Sequence, residues 1–320
     1  MRLPAELKPP YKLSVINRLA KEDPAGFLEA CDEVYHEKVR KTADLIVENR
    51  KLSPIVLLAG PSGSGKTTTA MKIEEELERR GIRSHSIAMD NYFKTRGTYE
   101  QPLAPDGSPD LESPLCMDMD LLNEHFTRLS EGKRIYIPRF DFSQQMRDTV
   151  FSKPLRLRSD EIAIFEGIHA INDDITQVHP EAFKLYVSAR ANVIDDDGRI
   201  LFKGTWSRLM RRTVRDYLFR GADALSTIKM WGNVRRGEKA YISPYKDKVN
   251  YQFDTLLPYE APVMNNTALA LFSEIPESTD RYDDLKKIVP ALQLFQDIDP
   301  ALVAPDSLLR EFFGGGIYEY

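Results

Sequence analysis

The chain has 320 residues, 42% hydrophobic and 29% charged, enough to bury a core of full domain size. Lys and Arg number 44 against 49 Asp and Glu, a net charge of -5, so no global positive field draws the chain to nucleic acid and anionic ligands must be held locally. Two cysteines, Cys31 and Cys116, are too few for a disulfide framework or a cysteine zinc site, and neither the charged start Met1-Arg2-Leu3-Pro4 nor any apolar run suggests a signal peptide or membrane span, so a cytoplasmic protein is expected.

From about Asp23 to Arg50, apolar residues recur at helical spacing, with Phe27, Ala30, Val34, Tyr35, Val39, Ala43 and Ile46 as the inward face. Ile55-Val56-Leu57-Leu58-Ala59 is an uninterrupted apolar run after Pro54, the pattern of a parallel strand covered on both faces. A glycine-rich loop follows at once, and then Lys66 to Arg80 carries Ala70, Ile73 and Leu77 on one face and stops at Gly81. The next strand is expected over Ser84–Met89, ending in Asp90. The stretch from Tyr92 to Pro114, rich in Gly, Pro and Asp, reads as a long irregular connection of the kind that is functional when it sits beside a site. A helix is predicted from about Asp118 to Leu129, with Leu122, Phe126 and Leu129 inward and a stop at Gly132. Short strands near Ile135–Ile137, Ile162–Phe165 and Leu185–Val187 alternate with helical segments, which argues for a parallel α/β sheet with helices on both faces. Trp206 to Arg220 is a strongly basic helix, Leu225 to Ile242 another, and the chain is helical again after Val263, through Leu285 to Phe295.

The loop Gly60-Pro61-Ser62-Gly63-Ser64-Gly65-Lys66-Thr67 matches the phosphate-loop pattern in full. Its glycines let backbone N–H groups turn inward around phosphate oxygens without side-chain clashes. Lys66 would neutralise the β and γ phosphates, Thr67 would offer its hydroxyl to magnesium, and the following helix turns its positive end toward the anion. Gly60, Ser62, Gly63, Ser64, Gly65, Lys66, Thr67 and Thr68 are therefore the expected nucleotide-binding residues. Glu161 to Gly167 is an apolar strand delivering Glu166 at its carboxyl end, where open α/β sheets hold ligands, so Glu166 is the second expected magnesium residue. Asp90 ends the strand before it and is suited to take the proton of an attacking hydroxyl, although an Asp-Asn pair serves equally well as a helix cap. On the basic helix, Arg208, Arg211 or Arg212, and Arg215 share a face, with Arg220 at its end. Such a run is ordinarily a solvated face; beside a phosphate loop it reads as an arginine-bearing lid that clamps the triphosphate. Asp195-Asp196-Asp197-Gly198 lacks the ligand pattern of a calcium loop and reads as a turn, and His36, His85, His125, His169 and His179 show no metal spacing.

Five motifs in order, GPSGSGKTT, Ala88-Met89-Asp90-Asn91-Tyr92-Phe93-Lys94, Ile137-Pro138-Arg139-Phe140-Asp141-Phe142, Phe165-Glu166-Gly167-Ile168 and the arginine helix through Arg220-Gly221, resemble the uridine kinase and phosphoribulokinase family. The resemblance runs from about Ser53 to Pro258 and is greatest to bacterial uridine kinase-like nucleoside kinases, whose helical tail is also similar to the stretch containing Ser307 to Phe312. It implies an α/β P-loop NTPase fold, with residues 1–52 as a helical N-terminal extension, 53–262 as the kinase domain with a lid around 206–240, and 263–320 as a helical C-terminal extension. It further implies ATP and Mg2+ as cofactors, Asp90 as base, Lys66, Arg212 and Arg215 in catalysis, and Arg220 on the nucleotide. Asp90, Tyr92, Glu112, Phe140, Gln145 and Arg212 fall on the acceptor side.

Several positions depart from true uridine kinases. Glu112-Ser113-Pro114 stands where they have Asp-His-Pro, Phe140-Asp141-Phe142 where they have Tyr-Asp-Phe, Gln145 near the place of a base-reading histidine, and Ala222 where a lid arginine follows Arg-Gly. Lost hydrogen bonds to a base change specificity strongly. The expected acceptor is a small hydroxylated molecule, foremost the 5'-hydroxyl of a uridine- or cytidine-like nucleoside, with a pentose, polyol or sugar phosphate as the alternative. A non-catalytic ATP-binding regulator is the reading of another class, and intact Lys66, Thr67, Asp90 and Glu166 argue against it. No nucleic-acid or membrane partner is expected, and homo-oligomers are left open. A GTPase is disfavoured by the lack of Asn-Lys-x-Asp, an ABC-type ATPase by the lack of Leu-Ser-Gly-Gly.

Overall fold

The computed structural model describes residues 6–141, 143–148, 154–280 and 282–319; of the positions used above, Met1-Arg2-Leu3-Pro4 and Phe142 lie outside the described residues. The chain begins with a short strand β1 (Tyr11–Lys12), helix α1 (Leu13–Glu22) and the long helix α2 (Pro24–Asn49). Asp23 caps α2 by accepting the Gly26 N–H, and Pro24 occupies the first helical position, where its missing N–H costs nothing. Of the seven residues expected on the inward face of α2, Val34 alone is only half-buried.

Strand β2 (Ile55–Ala59) has every residue buried, and the pleat divides them between two cores. Val56 and Leu58 join the cluster formed with α2 and the helix after the loop, α3 (Lys66–Arg79), while Ile55, Leu57 and Ala59 join Tyr92, Phe126 and Phe165 on the other face. That is why the run shows no polar alternation. Next come β3 (Ser84–Ala88), α4 (Met119–Ser130), the short pairs β4 (Ile135–Tyr136) with β7 (Pro154–Leu155) and β5 (Phe140–Asp141) with β6 (Met146–Arg147), then β8 (Ile162–Glu166). They are followed by the single turn α5 (Asp173–Thr176), β9 (Phe183–Ser188), β10 (Val193–Ile194), β11 (Ile200–Phe202), α6 (Gly204–Phe219) and α7 (Ala224–Tyr241). The chain closes with β12 (Tyr251–Asp254), α8 (Glu260–Ser273), α9 (Tyr282–Leu292) and α10 (Arg310–Phe313).

The central sheet is five-stranded and parallel throughout, in the order β12-β9-β2-β8-β3. One expectation is corrected here and one strand is added. The strand near Ile135 is not part of this sheet: its two residues pair antiparallel with Pro154 and Leu155 in a separate ribbon. The edge strand β12 was not foreseen, because Tyr251-Gln252-Phe253-Asp254 alternates polar and apolar residues over only four positions. The acidic run at Asp195–Gly198 is a turn between β10 and β11, with Asp195 Oδ1 accepting the N–H groups of Asp197 and Arg199.

The N- and C-terminal segments share one continuous apolar core with the sheet, running from Leu7 through Val56 and Leu209 to Phe312. The expected boundary between residues 262 and 263 falls inside α8. Among the described residues no helix is long and apolar enough to cross a membrane.

Candidate active site

The carboxyl ends of β2, β8 and β3 lie side by side, so the loop after β2, Glu166 at the end of β8 and Asp90 just past β3 converge without any long-range adjustment. They line one cleft of about 320 Å3, together with Lys66, Thr67, Glu112, Ile168, Arg212, Arg215, Arg220, Val234, Ile242 and Glu311.

The loop is held open from outside. Three successive carbonyls face away from the cleft and each meets a donor: Arg208 Nη1 to Ser62 O at 3.4 Å, Arg211 Nη1 to Gly63 O at 3.3 Å, and Thr255 Oγ1 to Ser64 O at 2.6 Å. With the carbonyls turned outward, neighbouring N–H groups and the first turn of α3 face inward. Gly63 makes this geometry accessible: its φ is +72°, and a Cβ there would lie 2.6 Å from the Arg208 carbonyl oxygen. Among the described residues Ser64 Oγ is buried without a hydrogen-bond partner, a polar group of the sort a phosphate oxygen satisfies.

Arg208 and Arg211 are almost wholly buried, at 1% and 0% exposure, and each is neutralised by a buried carboxylate. Arg208 Nη2 donates to Glu238 Oε2 at 2.7 Å, and Arg211 Nε donates to Glu260 Oε2 at 2.6 Å. Burial alone would push the Glu260 carboxyl up, while Arg211 pulls it back down. The arginine run thus shares one face but not one task. One turn apart, the same helix sends Arg212 and Arg215 into the cleft, where Arg212 Nη1 donates to Ser62 Oγ at 2.8 Å. Asp216, 4% exposed, gathers three cleft cations: Arg212 at 3.2 Å, Arg215 at 2.7 Å and Arg220 at 3.7 Å. Sequence reasoning missed Asp216, Glu238, Glu260 and Thr255; the one available signal was the acid embedded in a basic helix.

Asp90 stands open to solvent at the cleft floor yet ringed by protein, which raises its carboxyl against the lowering pull of Lys66 and Arg220. Glu166 is raised by burial as well, opposed by Lys66 and reinforced by Asp90 and Glu311. Burial lifts Glu112 to about 7, with Arg212 as the main opposing charge. Its backbone N–H donates to Asp110 Oδ1 at 3.2 Å, and Asp110 is clamped by Arg236 at 2.8 Å and by the Tyr241 hydroxyl at 2.8 Å. The connection carrying Glu112 is thereby tied to α7.

Three residues expected on the acceptor side do not line this cleft. Tyr92 is fully buried in the core beyond β3, its hydroxyl against His125 Nδ1 at 2.8 Å. Phe140 packs its ring 5.7 Å from Phe93 and lines a separate groove of the β5–β6 hairpin. Gln145 is exposed at the hairpin turn with φ +51°, and its side-chain oxygen accepts from Arg96 at 2.7 Å. The hairpin is anchored by Arg147, which binds Asp118 at 2.9 Å and the Tyr92 carbonyl at 3.1 Å, and by the Phe140 N–H, which donates to Asn91 Oδ1 at 3.3 Å. Thr68 is fully buried, with its hydroxyl 2.5 Å from Glu311.

The phosphoribulokinase / uridine kinase family model matches residues 55–258. A uridine kinase of Staphylococcus epidermidis is 30% identical over 198 residues, 60% of this chain and 83% of that protein. A uridine kinase of Staphylococcus aureus is 28% identical over 202 residues, 61% of this chain and 84% of that one. Among solved structures, a D-glycerate 3-kinase from Cryptococcus neoformans matches with a TM-score of 0.44 and 14% identity, over 68% of this chain and 92% of that one.

Two predictions test the geometry. Arg211→Met strands the Glu260 carboxylate in the core and should cost about 3–5 kcal/mol in urea unfolding; adding Glu260→Met should recover part of that loss, the Gly63 and Thr255 carbonyls staying unpaired, and strictly additive losses would contradict a paired role. Glu112 has a folded value near 7 against an ordinary 4.5, so its stabilisation is complete below pH 4.5 and is lost as pH rises through 7. Glu112→Gln should therefore flatten the decline of melting temperature over that range, and an unchanged slope would contradict the assignment.

Proposed function

The chain belongs to the phosphoribulokinase / uridine kinase family, and from that premise we propose that this ATP-dependent small-molecule kinase uses Asp90 to deprotonate the acceptor hydroxyl beside the phosphate loop. The observation that carries the reading is the convergence of Asp90, Lys66, Thr67, Glu166 and three arginines on one cleft. The inward N–H groups and Lys66 hold the donor's β and γ phosphates. The acceptor oxygen attacks the γ phosphorus in line. As the new O–P bond forms, its proton passes to Asp90, and the bond to the bridging oxygen of ADP breaks. The raised Asp90 carboxyl makes it a stronger base than an ordinary aspartate. Arg212 and Arg215, with Arg220 near the nucleotide, stabilise charge on the transferring group, and because Asp216 orders all three, no reorganisation is needed at the moment of reaction.

The hydroxyl of Thr67 and the carboxylate of Glu166 line the same cleft and are hard oxygen donors of the kind magnesium takes. They would hold Mg2+ directly or through its water, and its charge would offset that of the phosphates.

For the acceptor, the cleft lining supports a compact polyhydroxylated molecule, a sugar or polyol. Among the described residues no aromatic side chain lines the cleft; its apolar wall is Ile168, Val234 and Ile242, and its polar groups beside Asp90 are Glu112 and Arg212. Glu112, accepting from hydroxyls, is the acceptor-orienting residue of this reading. A nucleoside is the second reading, supported by the 30% identity to a uridine kinase.

Coupled ADP release across nucleosides, pentoses, polyols and sugar phosphates tests both. Turnover confined to non-aromatic acceptors is expected; turnover confined to nucleosides would favour the second reading, and none with any acceptor despite tight ATP binding would sink the enzyme reading. Asp90→Asn should lower turnover by at least about 100-fold with ATP affinity nearly unchanged.

A further inference from the structure

The C-terminal segment enters the donor site from beyond residue 258, where the family match ends. Leu308 packs against the phosphate loop so closely that a Cβ on Gly65 would lie 2.6 Å from its Cδ1. Phe312 is fully buried, with its ring 5.0 Å below the Arg211 guanidinium. Asp306 binds Lys72 of α3 at 3.1 Å. These anchors fix Glu311, only 8% exposed, with its carboxylate lining the cleft that holds Ser64, Lys66 and Thr67.

The carboxylate is directed at the first turn of α3. Glu311 Oε2 accepts from Thr68 Oγ1 at 2.5 Å and lies 3.4 Å from the Thr68 N–H. First-turn N–H groups have no partner within their own helix and sit at its positive end, so together with the loop they form the natural seat of an anion. A side-chain carboxylate already takes up part of that seat. A phosphate oxygen arriving at Thr68 meets both an occupied donor pair and a like charge.

We propose that Glu311 sets the donor affinity: it occupies on Thr68 a place that a phosphate oxygen of the nucleotide takes, so nucleotide binding displaces it and loosens the segment that carries it. The inference rests on the nucleotide reading of the phosphate loop but concerns neither the acceptor nor the chemical step. Its mark is dependence on ligand charge. Displacing a carboxylate with a phosphate matters for ADP and ATP and is irrelevant to adenosine, whereas a purely structural strut would treat all three alike.

The experiment is titration calorimetry of the full chain and its Glu311→Gln variant with ATP, ADP and adenosine, without acceptor. The glutamine keeps the shape of the side chain and removes the repulsion. It should tighten ATP and ADP by roughly ten- to hundredfold, the scale of a hydrogen bond to a charged group, and leave adenosine within about twofold. ATP and ADP affinities that are unchanged or weaker in the variant would overturn the inference while leaving the kinase reading standing; nucleotide binding by neither form would overturn both. A second measurement uses the unaltered chain, so it does not depend on how the variant folds. Saturating ADP should speed amide hydrogen exchange over residues 309–313, and slower or unchanged exchange there would contradict displacement.

Discussion

A phosphate loop can present its N–H groups to a ligand only if its carbonyls are satisfied somewhere else, and in this protein that requirement ties together α6, α7, α8 and the end of β12. Ser62, Gly63 and Ser64 turn their carbonyls to Arg208, Arg211 and Thr255. Those donors come from α6 and from the residue after β12, so the edge of the sheet and the arginine helix are both braces of the loop. Buried guanidinium groups are tolerable only when neutralised. Glu238 of α7 and Glu260 of α8 supply that charge, which commits two more helices to fixed positions. The cradle is thus preformed by contacts reaching far beyond the loop's own sequence.

The same helix serves both sides of this wall. Arginines at 208, 211, 212 and 215 share one arc of the helix and are divided by their partners, the first two held in the brace by Glu238 and Glu260 and the second two lining the cleft beside Asp216. Asp216 then bundles the cleft arginines, so the positive charge facing a triphosphate is held in place before the ligand arrives. The same cleft holds Asp90 and Glu166, both raised by the protein around their carboxyls and drawn back by Lys66. The cleft is therefore a place where acids and bases are forced close together without full cancellation, the usual condition for proton and phosphoryl transfer.

Local pattern made the core of this arrangement readable. Ile55–Ala59, the glycine loop and α3 lie where hydrophobic periodicity and glycine spacing put them, because those signals are set within a few residues. Glu166 was legible because it ends the apolar run of β8, and Asp90 because it follows the neighbouring strand β3 at the same carboxyl edge of the sheet. What sequence could not show depends on distant partners. Nothing in Tyr92 itself says that His125, 33 residues later, takes its hydroxyl and turns it into the core. Nothing in Phe140 or Gln145 says that Arg147 and Arg96, through Asp118 and Gln145 itself, fix the hairpin that carries them. Arg208 looks like Arg212 until Glu238 and Glu260 are seen to lie beneath one face of the helix. Glu311, 243 residues from Thr68, belongs to the same class.

The central claim is a preformed cradle that receives a donor triphosphate, and a crystal structure of the chain with a non-hydrolysable ATP analogue and Mg2+ tests it most directly. The account predicts that the Ser62, Gly63 and Ser64 carbonyls keep their bonds to Arg208, Arg211 and Thr255, that the loop backbone moves by less than about 1 Å, and that the terminal phosphate lies beside Asp90. A loop that must rebuild those three bonds to admit the nucleotide, or a triphosphate bound elsewhere on the molecule, would contradict it.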